Sequence, residues 1–226
     1  MEADSLNAAI LGEDSAPGTA NFDIFIKEVR REMTTKAGQK CTAIRRIMVP
    51  ENYLEDVQIA LGKSLAQTTI GDPANEKVRM GAIVNKSQVD VVRNRVLEMS
   101  QKTPIVFGDL DKFEVIGADA NKGFFLPPIL MLNENPLINT DSHDIECFGP
   151  VSTLMPYNGI EEAITLAKMG KGSLVSTIAT SDVHIATEYA IEAASYHGRI
   201  LILNEASAPE STGHGSPMPQ LMHGGP

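Results

Sequence analysis

Tryptophan is absent from this 226-residue chain, and aromatic residues of all kinds make up only 5% of it. Binders of single-stranded nucleic acid stack bases on such rings, so that class lacks its platform here. Positive charge is also scarce. Nineteen lysines and arginines face 29 aspartates and glutamates, a formal net charge of −10. That balance repels a phosphate backbone and an anionic bilayer surface, so neither nucleic acid nor membrane is an expected partner. No run of 18 apolar residues occurs, which removes a helical membrane span. The two cysteines, Cys41 and Cys147, are too few for a disulfide framework. The opening MEADSLNAAILGED is acidic and has no cationic start or cleavage pattern of a secretory signal. A cytoplasmic location is the expectation.

What is present suits a globule: 42% hydrophobic and 21% charged residues. After a connector, GEDSAPGTAN, the segment FDIFIKEVRREMTTK places Phe22, Phe25, Ile26, Val29 and Met33 at helical spacing, with Asn21 as the expected cap. Gly38 should end that helix, and Ile47–Val49 reads as a strand. A second helix carries Leu54, Val57, Leu61 and Leu65 on one face. TTIGDPANE reads as a turn cluster, and a third helix carries Val89, Val92, Val96 and Met99. Beyond it, FFLPPILML, VSTLMPY, LVSTIAT and RILILN have strand length. Between them lie helical IEEAITLAKMG and SDVHIATEYAIEAASYHG, each expected to end at glycine. The alternation predicts an α/β fold: a three-layer, open, mostly parallel sheet with helices on both faces.

A lone cysteine is usually a small buried hydrophobe. Cys41 stands in a more suggestive setting. Gly38 permits a tight backbone path, and Lys36, Lys40, Arg45 and Arg46 supply cations that would favour a thiolate. No histidine lies nearby, which weakens a Cys–His nucleophile pair. The five histidines, at 143, 184, 197, 214 and 223, show no metal-ligand spacing, so no metal site is expected. GKGSL, around Gly170 and Gly172, lacks the Walker pattern and reads as a helix-ending turn.

Two segments resemble signatures of the aldehyde dehydrogenase superfamily. GQKCTAIRR, residues 38–46, matches Gly-Gln-x-Cys-x-Ala-x-x-Arg, and ECFGPV at 146–151 matches Glu-x-Phe-Gly-Pro-Val. GDP at 71–73 and MGAIVN at 80–85 stand where the family has comparable segments. EADSLN, NEASAPESTGHGSPMPQL and HGGP narrow the likeness to the branch that fuses the dehydrogenase to a hydratase-like module for phenylacetate degradation.

The resemblance implies Cys41 as the nucleophile that attacks an aldehyde carbonyl. It implies Glu2, 39 residues upstream, as the base that activates hydrolytic water. The wider family writes Glu-Leu-Gly-Gly there, whereas this chain has Glu2-Ala3-Asp4-Ser5, as the narrower branch does. Glu146 carries over as the carboxylate on the nicotinamide ribose hydroxyls and Phe148 as the ring against the nicotinamide. The implied cofactor is NADP, with NAD as the alternative. The implied substrate is a small CoA-thioester semialdehyde, 3-oxo-5,6-dehydrosuberyl-CoA semialdehyde in that branch. Residues 1–226 are then one catalytic domain, a fragment of a longer chain that assembles as a homo-oligomer. Two other readings stay open from the residues alone. A thiol-dependent hydrolase or acyltransferase would use Cys41 and Glu2 without a nicotinamide and leaves ECFGPV unexplained. A non-catalytic scaffold domain would need none of Glu2, Cys41 and Glu146.

Overall fold

The computed structural model describes residues 4–211, 213 and 214. In chain order the strands are β1 (Ala8–Leu11), β2 (Arg46–Pro50), β3 (Ile70–Gly71), β4 (Ile105–Phe107), β5 (Val115–Ile116), β6 (Ile129–Leu132), β7 (Val151–Tyr157), β8 (Ser173–Ala179) and β9 (His197–Leu203). The helices are α1 (Ala20–Thr34), α2 (Leu54–Leu65), α3 (Lys86–Met99), the single turn α4 (Asp141–Asp144), α5 (Ile160–Lys168) and α6 (Val183–Ala193). Seven strands form one sheet in the order β4-β6-β7-β2-β1-β8-β9, parallel except for antiparallel β4 at the edge. β3 and β5 make a separate parallel pair.

Side chains alternate across a strand, so each central strand feeds two cores. Ala9, Leu11, Ile47 and Val49 pack on one face against Phe25, Val29 and Met33 of α1 and Val57, Leu61 and Leu65 of α2. Ala8, Ile10 and Met48 pack on the other against α5 and α6 through Ala163, Leu166, Ala167, Tyr189 and Ala193. A third cluster joins Val92, Val96 and Met99 of α3 to Ile129, Met131, Cys147 and Val151. The expected three-layer α/β architecture is the observed one.

Several local expectations need correction. Thr19, not Asn21, caps α1, its hydroxyl accepting from the Phe22 N–H. The Asn21 amide instead ties Ser181 to the Glu205 backbone. The turn cluster at 68–76 contains β3. The segment after α6 does not end at glycine: a 3-10 turn leads straight into β9, and Gly198 lies inside the strand.

Arg46 is the largest departure. Expected as a cation favouring the Cys41 thiolate, it is fully buried and bonded to α5. Its guanidinium donates to the carbonyls of Leu6 (2.8 Å), Leu166 (2.7 Å) and Ala167 (2.9 Å). The last two belong to the final turn of α5, where the dipole is negative and the carbonyls accept only the short-turn bonds from Met169 and Gly170 besides. A Cβ at Gly170 would stand 2.3 Å from the Arg46 Nη2, so that glycine clears room for the cation. Arg46 Nη1 also lies 2.9 Å from His143 Nδ1, and His143 Nε2 lies 3.1 Å from the Pro136 carbonyl. An arginine can only donate and a carbonyl can only accept, which assigns the His143 proton to Nε2.

Burial keeps three histidine rings neutral. Desolvation, then the Arg46 charge, holds His143 and His197 down at about 4; desolvation and Arg199 hold His214 at about 3. An unfolded histidine titrates near about 6.5. Below that pH the unfolded chain takes up protons that the folded chain refuses. This stabilisation is complete above about pH 6.5 and is lost as pH falls towards about 4, by roughly 2–3 kcal/mol per ring. Glu28 and Glu146, raised chiefly by burial, act in the opposite sense at the acidic end. Urea titrations between pH 7.5 and 4.5 should show the midpoint falling steadily below pH 6.5. A flat profile would mean that the rings take up protons without unfolding.

Candidate active site

Three segments converge at the amino ends of adjacent strands: residues 4–7 before β1, 38–45 before β2 and 146–150 before β7. The usual ligand crevice of an open parallel sheet lies at the carboxyl ends. Here the opposite rim carries the signature residues.

The cysteine loop begins in strain. Lys36 and Ala37 adopt left-handed backbone at φ 54° and 53°, and Gly38 follows at φ 68°. Each non-glycine residue in that region costs about 1–2 kcal/mol. The turn is held by Gln39, whose backbone and side-chain N–H groups both donate to the Lys36 carbonyl. The Gln39 Oε1 accepts the Val84 N–H at 2.9 Å, tying the loop to MGAIVN. At Gly38 the loop touches the second signature directly. A Cβ there would sit 2.1 Å from the Gly149 carbonyl oxygen.

Asn7 fixes the cysteine itself. Its Nδ2 donates to the carbonyls of Cys41 (2.9 Å) and Ala43 (2.8 Å). Its Oδ1 accepts from Ser5 Oγ (2.8 Å) and the Val175 N–H (3.2 Å). All four hydrogen-bonding positions of the amide are filled in a fully buried residue. Cys41 lies in the turn after Lys40, half-buried. Cys147 is its opposite: buried, with its sulfur 3.8 Å from the Met99 sulfur, and pushed up to about 12 by loss of water.

Glu146 and Phe148 flank Arg45. The Glu146 carboxylate, in a residue only 5% exposed, accepts from Arg45 Nε at 3.2 Å and from the Ser5 N–H at 3.2 Å. Burial raises its pKa, and the Arg45 charge opposes that rise. Its backbone carbonyl accepts from Arg95. The carboxylate is thus turned inward in this structure. Half-buried Phe148 lies with its ring centroid 5.3 Å from the guanidinium carbon of Arg45, and its carbonyl accepts from Gln88 Nε2 at 2.9 Å. Glu2 lies outside the described residues. Among the described residues that follow it, Asp4 pairs with Arg95 at 4.0 Å and the Ser5 N–H donates to Glu146.

The cationic flank expected around Cys41 is largely committed elsewhere. Lys40 Nζ sits 2.8 Å from buried Glu32, Arg45 pairs with Glu146, and Arg46 faces α5. No group of three or more His, Cys, Asp or Glu residues that could hold a metal occurs among the described residues. Asn7, Ser5, Gln88 and Arg95 were not foreseen as site residues; their polar contacts run to segments far away in the chain.

The sequence matches the aldehyde dehydrogenase family over residues 1–212. This chain belongs to that family. Among curated relatives, the 3,4-dehydroadipyl-CoA semialdehyde dehydrogenase of Aromatoleum evansii is 41% identical over the whole chain, which spans 44% of that protein. Protein MaoC of Klebsiella aerogenes is 45% identical over 65% of the chain and 42% of its own length. The chain therefore spans less than half the length of these two relatives. Among solved structures, betaine aldehyde dehydrogenase of Staphylococcus aureus in complex with NAD+ matches with a TM-score of 0.75 at 21% identity, over 89% of this chain and 38% of that one. An aldehyde dehydrogenase from Bacillus cereus matches with a TM-score of 0.74 at 24% identity, over 89% and 38%. At those identities the likeness speaks to the fold.

Two outcomes follow from the contrast between the loops. Alkylation with peptide mass mapping should label Cys41 at least roughly tenfold faster than Cys147, because only a solvent-reached thiolate reacts; equal labelling would mean that the 146–149 loop opens freely. Gly38→Ala should lower stability by about 2 kcal/mol or more, since it combines a left-handed φ with a backbone clash. A thermal midpoint equal to the parent's would show that the two loops do not meet there.

Proposed function

We propose that the chain is the catalytic domain, within a longer cytoplasmic polypeptide that forms a homo-oligomer, of an NAD(P)-dependent aldehyde dehydrogenase acting on a CoA-linked semialdehyde in aerobic phenylacetate degradation. The observation that carries this reading is the junction of the Cys41 loop with the 146–149 loop: Gly38 packs on Gly149, Arg45 bonds to both loops, and one loop carries a partly exposed thiol and the other the Phe148 ring. The 41% identical relative, named for a CoA semialdehyde, supports the substrate class.

The residues present suit a nicotinamide in part. Phe148 offers a half-exposed ring for stacking, and Glu146 would reach ribose hydroxyls by leaving Arg45. A bound nicotinamide supplies the two-electron acceptor, NADP on this reading with NAD as the alternative. The chain's own residues do the rest. The Cys41 thiolate adds to the aldehyde carbon, giving a thiohemiacetal. The Cys41 N–H is one donor to the oxyanion that develops there. Loss of two electrons and a proton turns that adduct into a thioester on Cys41. Glu2 takes a proton from water, which attacks the thioester carbon and releases the acid and the thiol.

The two roles separate kinetically in the full-length protein. Cys41→Ala should abolish aldehyde-dependent nicotinamide reduction. Glu2→Gln should keep a first-turnover burst while slowing the steady rate by about 10²-fold or more. Rapid-quench detection of the acyl-enzyme separates them. Oxidation that survives Cys41→Ala would end the assignment, and hydrolysis of thioesters without any nicotinamide would favour a simple acyl hydrolase.

A further inference from the structure

Arg45 stands at one of the unspecified positions of the cysteine signature, yet it is the most densely bonded residue of the site. Its side chain is almost wholly buried. Nη2 donates to the carbonyls of Gly38 (2.7 Å) and Lys40 (3.3 Å), on the cysteine loop. Nη1 donates to the Gly149 carbonyl (2.7 Å) and Nε to the Glu146 carboxylate (3.2 Å), on the other loop. The Phe148 ring lies against the guanidinium plane at 5.3 Å. Four of its five N–H groups are thus shared between two loops more than 100 residues apart in the chain.

We propose that Arg45 is a positioning residue: it holds the Cys41 loop and the 146–149 loop in one fixed relation, so that the thiol and the Phe148 ring keep their separation. This rests on the reading of Cys41 as nucleophile and Phe148 as nicotinamide contact. Three physical points favour it. Gly38 and Gly149 meet through backbone without a hydrogen bond between them, and the bonds from Ser152 Oγ to the Ile44 carbonyl and from the Thr153 N–H to the Arg45 carbonyl lie past the loops at the strand starts. A planar fork fixes direction as well as distance, which a lysine ammonium on a flexible stem does not. The Lys36–Gly38 turn is strained and needs an acceptor-side anchor to persist, and the Gly38 and Lys40 carbonyls are where Arg45 grips it.

The test uses the full-length enzyme, with active sites counted by Cys41 labelling so that misfolded protein does not enter the rates. Arg45→Gln should lower kcat by roughly 10²-fold, the scale of an ångström of misplacement, and raise the nicotinamide KM by roughly tenfold. Arg45→Lys should behave like the glutamine variant, because charge without the fork is insufficient. A purely structural role would reduce the count of active sites and leave kcat and KM per site unchanged, which would overturn the proposal. So would recovery by lysine to within about threefold of the parent. Should neither variant fold, native-state amide exchange on the unmodified protein decides: residues 38–42 and 146–149 should open as one unit with a common urea dependence, and separate openings would overturn the clamp. Cys41→Ala runs alongside. Activity that survives in it removes the reaction assignment itself, and amide exchange then judges Arg45 alone.

Discussion

Two consecutive arginines, both buried, fix how the chain enters its central strand. Arg45 and Arg46 project to opposite faces at the start of β2, as the two-residue period demands. One meets the signature loops and the other the carboxyl end of α5. A buried guanidinium is costly unless its donors are satisfied. Both satisfy theirs mainly with backbone carbonyls, and only Arg45 has a carboxylate partner. Carbonyls are fixed by the path of the chain, whereas side chains can swing away. Each arginine therefore ties several backbone segments to the β2 start, and every other feature of the site is measured from that point.

This arrangement explains why backbone geometry, more than local charge, makes Cys41 distinctive. Three of the four cations around it, Lys40, Arg45 and Arg46, are engaged by Glu32, Glu146 and helix carbonyls. What remains is access: a half-buried thiol in a turn whose carbonyl is pinned by Asn7. Cys147 has cations close by as well, Arg45 and Arg95, and still has its pKa driven up by desolvation. Solvent separates the two sulfurs.

Much of this was legible in the sequence. The apolar periodicity of α1, α2 and α3 marked their buried faces well, because each helix packs one stripe against the sheet. The strand β1 escaped notice for a physical reason. Ala-Ala-Ile-Leu is short and half alanine, and burial on both faces erases the alternation that marks a strand. β3, β4 and β5 are two or three residues long and carry no period at all. At the site, the two signatures located both loops, but nothing in them indicated which side chains join the loops. Asn7 reaches Cys41 across 34 positions, Arg45 reaches Glu146 across 101, and Ser5 reaches Glu146 across 141. Such partners leave no periodic trace. Sequence adjacency makes the arginines look like cations serving Cys41, and only the fold reveals the carbonyls that enclose them.

The inward turn of Glu146 has an energetic meaning of its own. A carboxylate in a nearly dry site is disfavoured by desolvation, and the Arg45 charge and the Ser5 N–H recover part of that cost. The opposing interactions do not cancel, because burial outweighs them and the pKa is raised. A ligand bearing hydroxyl donors near Phe148 would offer the carboxylate new hydrogen bonds in a wetter setting. Outward rotation would then exchange one set of partners for another. Arg45 would lose the acceptor of its Nε and its carboxylate partner in that exchange, but would keep its bonds to Gly38, Lys40 and Gly149. On the proposed reading, the guanidinium would hold the two loops together through those three carbonyls in either position of the carboxylate, leaving Glu146 to meet a cofactor.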